Sequence, residues 1–296
     1  MGVMIVAVVD VGSHTVRLLV AEQKRGALEP VREERAALGL GVEVERLGLI
    51  SREKLEETCD QVRGYVRLAR KTGVDLLEVI VTAPGRQSKN GRELVLELAR
   101  ATGAPVRVLS ADEEGRLAFA GAIAGADLKG ESIAVCDVGG GSTEVVVGTH
   151  RDGPAWLRSF DVGAVRLSGR HLSGDPPRKT DVVAARDEVA AALEGLAPPL
   201  PQCALATGGT ARALRKLVGS NLGPDELEAA LAISLARPAA KVAKAFGIDR
   251  ERARTLPAGV LILSAVQERL SVPLQVVRAG LREGAILALL QEAAAA

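Results

Sequence analysis

The sequence predicts an α/β protein of two related domains facing each other across a cleft, and three observations carry that prediction. First, an apolar run ending in Asp-Val-Gly, a short polar turn and a second apolar run occurs twice, as Asp10-Val11-Gly12-Ser13-His14-Thr15 and as Asp137-Val138-Gly139-Gly140-Gly141-Ser142-Thr143. The copies lie too far apart for a solenoid repeat, so they mark two domains, each offering one turn to a shared cleft. Second, strand-like and helix-like segments alternate in both halves. Third, 296 residues suffice for two hydrophobic cores.

In order, residues 3–21 read as a strand pair around the first turn, with a third strand at Val31 to Ala36. Ser51 is placed to cap a helix through Thr72, in which Leu55, Val62, Val66 and Ala69 recur at helical spacing before Gly73 ends it. A strand at Leu76 to Val81, a helix at Arg92 to Thr102, a strand at Val106 to Leu109 and a helix capped by Asp112 and running to about Ile123 complete the first half. The polar join Gly125 to Gly130 sets the expected boundary between residues 1–124 and 125–280. Beyond it come strands at 132–137, 143–149 and Leu157 to Val162, and a helix from about Ala164. Further helices are expected near 181–195, 210–218, 224–236, 238–246 and 258–270, with a strand at Ala204 to Ala206, and a last helix from Leu281.

Composition narrows the function. Hydrophobic residues make up 47% and charged residues 25%, as in ordinary globular proteins, while aromatics at 2% leave the cores to Ala, Val, Leu and Ile. A net charge of +1 gives no global field for nucleic acid, so any anion site must be a local patch. No apolar stretch reaches the roughly 18–20 residues of a membrane span. Three scattered cysteines (Cys59, Cys136, Cys203) without metal spacing point to a reducing cytoplasm.

Consecutive glycines let backbone N–H groups converge and let an anion approach the main chain. The carboxylate of Asp137 beside such a turn would repel a bare phosphate unless a divalent cation lies between them or it orients water. The plain alternative is a glycine-rich hairpin with an acidic flank. Acidic residues such as Glu113 and Glu114 at a helix start ordinarily complement the helix dipole. Arg86 reads as part of a basic loop. Arg212, Arg215 and Lys216 share a helix face, either solvated or a track for distal phosphates near that helix's positive end. Arg250, Arg252 and Arg254 read as a solvated connector.

The paired turns resemble the phosphate motifs of the actin-like ATPase superfamily. Within it the chain resembles the exopolyphosphatase / guanosine pentaphosphate phosphohydrolase (Ppx/GppA) family. Ala111-Asp112-Glu113-Glu114-Gly115-Arg116, Gly163-Ala164-Val165-Arg166-Leu167, Ala206-Thr207-Gly208-Gly209-Thr210, Leu256-Pro257-Ala258-Gly259 and Gly280-Leu281-Arg282-Glu283-Gly284 follow in the family's order. The resemblance implies two actin-like (ribonuclease H-like) domains, with the helix 281–296 returning to the first. It implies release of terminal phosphate from inorganic polyphosphate, or from guanosine pentaphosphate. The alternatives are an actin-fold kinase or a non-catalytic sensor. Glu114, or alternatively Glu113, takes the catalytic base's place. Asp10, Asp137 and Glu144 would hold Mg2+ or another hard divalent cation. Gly12, Ser13, His14, Gly139, Gly140, Gly141, Ser142, Gly208, Gly209 and Thr210, with Arg86 and Arg166, would contact phosphates. His14 stands where the family usually has Asn, which makes affinity pH-dependent if the imidazole titrates. The resemblance brings no nucleic-acid or membrane partner, leaves room for a homodimer, and lacks the extra C-terminal region of longer members, favouring a minimal exopolyphosphatase.

Overall fold

The computed structural model describes residues 4–24, 27–124, 126, 128 and 131–295. The start of the first expected strand, at Val3, lies outside them, as does most of the join at 125–130. One sheet connectivity appears twice. In the first half, β1 (Ile5–Val11), β2 (Thr15–Lys24), β3 (Ala27–Ala37), β4 (Leu76–Val81) and β5 (Val106–Val108) form a five-stranded sheet in the order β3-β2-β1-β4-β5. In the second, β6 (Ile133–Val138), β7 (Thr143–Thr149), β8 (Gly153–Phe160), β9 (Cys203–Thr207), β10 (Asn221–Leu222) and β11 (Leu274–Val276) form the order β10-β11-β9-β6-β7-β8. From its other end that order is β8-β7-β6-β9-β11, the first sheet again, with β10 added at the edge. In both sheets an antiparallel hairpin comes first, and its opening strand then pairs in parallel with a later one.

The helices of the first half are α1 (Leu40–Leu47), α2 (Arg52–Lys71), α3 (Ala83–Gln87), α4 (Gly91–Thr102) and α5 (Ala111–Ala124). Those of the second are α6 (Ala164–His171), α7 (Lys179–Ala192), α8 (Gly208–Val218), α9 (Pro224–Leu235), α10 (Ala239–Phe246), α11 (Arg250–Leu270) and α12 (Leu281–Ala295). Ser51 caps α2 by accepting from the Lys54 N–H at 3.2 Å, an interaction typically contributing about 1 kcal/mol. The expected Asp112 cap is corrected. Ser110 Oγ accepts from the Glu113 N–H at 3.2 Å, and Glu113 Oε2 accepts from the Ser110 N–H at 2.8 Å, a reciprocal capping box. The connector expected at Arg250–Arg254 is corrected too, because α11 begins at Arg250 and runs through Pro257. An internal proline costs about 3 kcal/mol. Burial of Ala253, Leu256, Val260, Ile262 and Leu263 along the same helix offsets it. The short elements α1, α3 and β10 lack the periodicity that would announce them.

Strand alternation divides β1 between two cores. Ala7, Val9 and Val11 face α2 and α4, whereas Val6 and Val8 face α12. In the second sheet, Ala134, Cys136 and Val138 face α6 to α9 and α11, while Ile133 and Val135 pack against Phe119, Ala122 and Ile123 of α5. Thus α5 covers the second sheet, and α12, from the far end of the chain, covers the first. The two helices cross at glycines. A Cβ on Gly121 would lie 1.9 Å from the Gly280 carbonyl oxygen, and one on Gly284 would lie 1.8 Å from that of Leu117. Their backbones meet at van der Waals distance only because no side chain intervenes.

Candidate active site

Each hairpin ends in a four-residue turn closed by the same bond, from the Gly12 N–H to Thr15 O at 3.1 Å and from the Gly139 N–H to Ser142 O at 3.0 Å. These two N–H groups are therefore engaged, which corrects the expectation that they point at phosphate. Among the described residues the N–H groups of Ser13, His14, Gly140, Gly141 and Ser142 have no backbone acceptor and remain for an anion.

The turn carbonyls face helix N-termini instead. Gly139 O accepts from the Ala164 N–H at 2.9 Å, and Gly140 O from those of Val165 and Arg166 at 2.9 and 3.1 Å. The glycine turn is thus the cap of α6, whose N-cap residue Gly163 makes no side-chain cap of its own. A Cβ on Gly163 would fall 2.5 Å from Gly140, so the helix can approach only as glycine. In the first turn Ser13 O accepts from the Gly41 N–H of α1 at 2.7 Å.

Between the turns lies a cavity of about 100 Å³ lined by both of them, by Asp10 and Asp137, and by Glu114. It adjoins a second space of about 720 Å³. Arg17, Arg212, Arg252 and Arg282 line both. The two look-alike turns do face one another: Gly140 and Gly141 would each meet Ser13 if they carried a Cβ, at 2.9 and 2.7 Å.

Burial disfavours the charged form of each acid. The carboxyl of Asp10 is pushed up to about 6 by desolvation, opposed by Arg17 and Arg282, and its Oδ1 is buried without a partner. Asp137 is raised for the same reason, with Arg212 the strongest opposing charge. Glu114, 7% exposed, is raised to about 7 by burial against the pull of Arg86, whose Nη1 donates to its Oε2 at 2.8 Å. Glu144, 1% exposed, is raised well above the carboxylate range by burial and then by Glu114. Its Oε1 accepts from Ser159 Oγ at 2.8 Å, and Oε2 has no partner. Both Glu114 and Asp137 raise Glu144 further, and among the described residues the expected trio of Asp10, Asp137 and Glu144 does not converge as a metal-holding set. Among the described residues no three His, Cys, Asp or Glu side chains converge to hold a metal by themselves. Glu113, the alternative base, is tied into the capping box and to Arg107 at 2.9 Å, outside the cavity.

Two arginines expected on phosphate are engaged elsewhere. Arg86 Nη1 bridges Glu114 and Leu109 O, each at 2.8 Å. Arg166 Nε donates to Glu45 of α1 at 3.0 Å, and Arg170 Nε to the same carboxylate at 2.5 Å, so both join the two halves beside the cleft. The guanidinium groups that do line the cavity are Arg17, Arg212, Arg252 and Arg282. Arg17 is lowered by burial and by Arg212, and Arg252 falls to about 10 by burial and by Arg35, so the site holds crowded cations. Arg17 had a signal in the sequence: it is the register partner of Asp10 across the first hairpin, as Glu144 is of Asp137 across the second. Gly208 and Gly209 do reach the cavity, and Thr210, buried behind them, accepts from Arg252 Nη1 at 3.3 Å. His14 is lowered to about 3 by burial and by Arg252, so it stays neutral and the expected pH-dependent affinity has no source there. Among the described residues no helix is long and apolar enough to cross a membrane.

Comparison with known proteins agrees over nearly the whole length. The model of the Ppx/GppA phosphatase family matches residues 19–293. Exopolyphosphatase 1 of Mycobacterium tuberculosis is 29% identical, over 95% of this chain and 86% of the relative. A Streptomyces coelicolor protein is 32% identical, over 86% of this chain and 81% of its own. The crystal structure of the Aquifex aeolicus member of the Ppx/GppA family superposes with a TM-score of 0.82 at 27% identity, covering 98% of this chain and 99% of that one.

Proposed function

Because the chain belongs to the Ppx/GppA phosphatase family, we propose that it is an exopolyphosphatase releasing terminal phosphate from inorganic polyphosphate. The single observation that carries this reading is the cavity in which two glycine turns, two aspartates and Glu114 meet beside four guanidinium groups. In about 100 Å³ there is room for one phosphoryl group between the turns, with the rest of a polyanion continuing past the arginines into the larger space. The free N–H groups of Ser13, His14, Gly140, Gly141 and Ser142 orient that group. For phosphoryl transfer, such positioning and electrostatics supply most of the acceleration.

Glu114 is the base. Buried and poised near neutral pH, it takes a proton from the attacking water, help that typically contributes about 10²–10⁴-fold. Glu144, whose charged form burial disfavours, adds little negative charge beside it. The donors fit a hard divalent cation: they are oxygens only, Asp10 Oδ1 lacks a partner, and Asp10 and Asp137 line one cavity. Held by these two carboxylates together with substrate phosphates, magnesium would offset charge on the transferred phosphoryl.

Residues 1–124 with α12, set against 125–280, form the two halves of the proposed cleft, and three free cysteines suit a reducing cytoplasm. A second reading, hydrolysis of guanosine pentaphosphate, is favoured by Leu28, Pro30 and Ile248 in the larger space, apolar surface that a bare polyphosphate has no use for. The test is phosphate release, with magnesium, from long-chain polyphosphate, guanosine pentaphosphate and ATP without an acceptor. We expect release from polyphosphate and near loss of it in Glu114→Gln. Binding of these anions without release would leave only a sensor, and release from guanosine pentaphosphate alone would favour the nucleotide reading.

A further inference from the structure

We infer that Gln87 is a positioning residue for the second phosphate turn and acts on it from the opposite half of the molecule. This rests on the phosphohydrolase reading above. Gln87 is the last residue of α3, on the first sheet's side, and its Nε2 donates to Gly141 O at 3.2 Å and to Asp161 Oδ1 at 2.8 Å.

The argument comes from following every carbonyl of that turn. Gly139 O and Gly140 O are held by N–H groups of α6, and Ser142 O by the turn's own closure. Only Gly141 O is held from across the cleft. In the first turn the corresponding carbonyl, His14 O, is held locally by the N–H groups of Leu38 and Gly39, both at 3.2 Å. At this position of the duplicated scaffold a side chain of the opposite half stands where the first turn uses local backbone donors.

The consequence follows from peptide geometry. In a trans peptide the carbonyl oxygen and the following N–H point in opposite directions. Drawing Gly141 O toward α3 aims the Ser142 N–H the other way, and that N–H is one of those left for the anion. On the Gly141 side of this peptide no Cβ resists rotation, so the acceptor bond to Gln87 adds a restraint that the glycine itself does not supply. The packing agrees: a Cβ on Gly141 would lie 2.8 Å from Gln87 Oε1 and 2.9 Å from Ala83. The second turn is thus complete as an anion cradle only when the halves are together, which makes the grip on the terminal phosphate conditional on a closed cleft.

The test uses the full chain, with Gln87→Ala, Gln87→Glu, Asp161→Asn and the pair Gln87→Glu with Asp161→Asn. Gln87→Ala should lower kcat/KM for long polyphosphate about 10-fold and kcat with it, since both the hold on the terminal phosphoryl and its alignment depend on the Ser142 N–H. Inorganic phosphate, which fills only the terminal place, should bind about 10-fold more weakly to the same variant, as expected for loss of a hydrogen bond to a charged group. Asp161→Asn should leave kcat and phosphate affinity unchanged. Gln87→Glu sets two carboxylates together and should lower the thermal midpoint. Adding Asp161→Asn gives the introduced carboxylate a donor and should restore that midpoint without restoring kcat, because a carboxylate cannot donate to Gly141 O. Recovery of kcat together with the midpoint, or an unaltered Gln87→Ala, would show Gln87 to be only a strut. If the wild-type chain releases no phosphate, the enzymatic reading fails by itself, and the phosphate-affinity comparison still decides the role of Gln87.

Discussion

Replacing Arg86 with Met should move the acid limb of polyphosphate hydrolysis to higher pH. Burial raises the Glu114 carboxyl to about 7, and the Arg86 guanidinium, 2.8 Å away, is the main influence holding it down. The pair is nearly enclosed, with side-chain exposures of 20% for Arg86 and 9% for Glu114, so solvent screens it little. A hydrogen bond to a charged group in such surroundings contributes roughly 1.5–3 kcal/mol. At about 1.36 kcal/mol per unit that corresponds to about one to two pH units. A base must be deprotonated to act, so in the wild type kcat/KM should rise through about pH 7. In Arg86→Met it should rise between about pH 8 and pH 9 and reach a similar plateau. The assay is phosphate release from long-chain polyphosphate at saturating magnesium, from about pH 5 to about pH 10. Stability follows with the sign of a raised carboxyl: the contribution is present below the ordinary carboxylate range and is lost as pH rises through about 7. The thermal midpoint of the variant should therefore fall further between acid and alkaline pH than the wild type's does. A limb fixed near pH 7 with only a lowered plateau would refute the argument, because Arg86 would then be contacting substrate and not restraining the base.

Three further outcomes are expected. His14→Asn should leave the pH profile unchanged, since the imidazole is already neutral down to about 3; a limb displaced on this substitution would count against its burial. Arg252→Met should raise KM for polyphosphate about 10-fold and flatten its salt dependence, because a buried cation facing the cavity is removed; an unchanged salt response would place the polyanion elsewhere. Gly121→Ala should lower the thermal midpoint, overpacking of this kind costing about 1–3 kcal/mol, since its Cβ would sit 1.9 Å from Gly280 O. A neutral result in calorimetry would mean that α5 and α12 can separate freely.

Much of the architecture was legible because both hairpins carry the same local code: an apolar strand, an acid, glycine, small polar residues, then a second apolar strand. Long helices such as α2 and α4 also announced themselves, one by its serine cap and the other by its closing glycine. What stayed hidden depended on partners remote in sequence. Pro257 reads as a helix breaker until the buried residues around it are seen to hold α11 straight through it. Arg252 consequently looked solvated, although it is 8% exposed and faces the site. Arg86 and Arg166 were placed near the cleft, and their pairing with Glu114 and Glu45 is visible only after folding, since those carboxylates are remote in sequence. Gln87 gave no signal, because its acceptor lies 54 residues away.

The repeat also explains why a symmetric scaffold holds an asymmetric site. Opposite each turn's aspartate, one hairpin carries Arg17 and the other Glu144. Glu144 is buried and Arg17 partly so, in surroundings that disfavour charge, one raised toward neutrality and the other lowered toward it. Placing unlike charges at matching positions gives the cleft a polarity that the backbone does not have. The Glu144 side, with Glu114, is where a proton can be taken; the Arg17 side, continued by Arg212, Arg252 and Arg282 into the larger space, is where further negative charge is stabilised. A chain of phosphates can lie in such a cleft in only one direction without setting its charged tail against two carboxyls. The unlike residues at matching hairpin positions, reinforced by Glu114 on one side and by Arg212, Arg252 and Arg282 on the other, thus distinguish the two ends of the cleft.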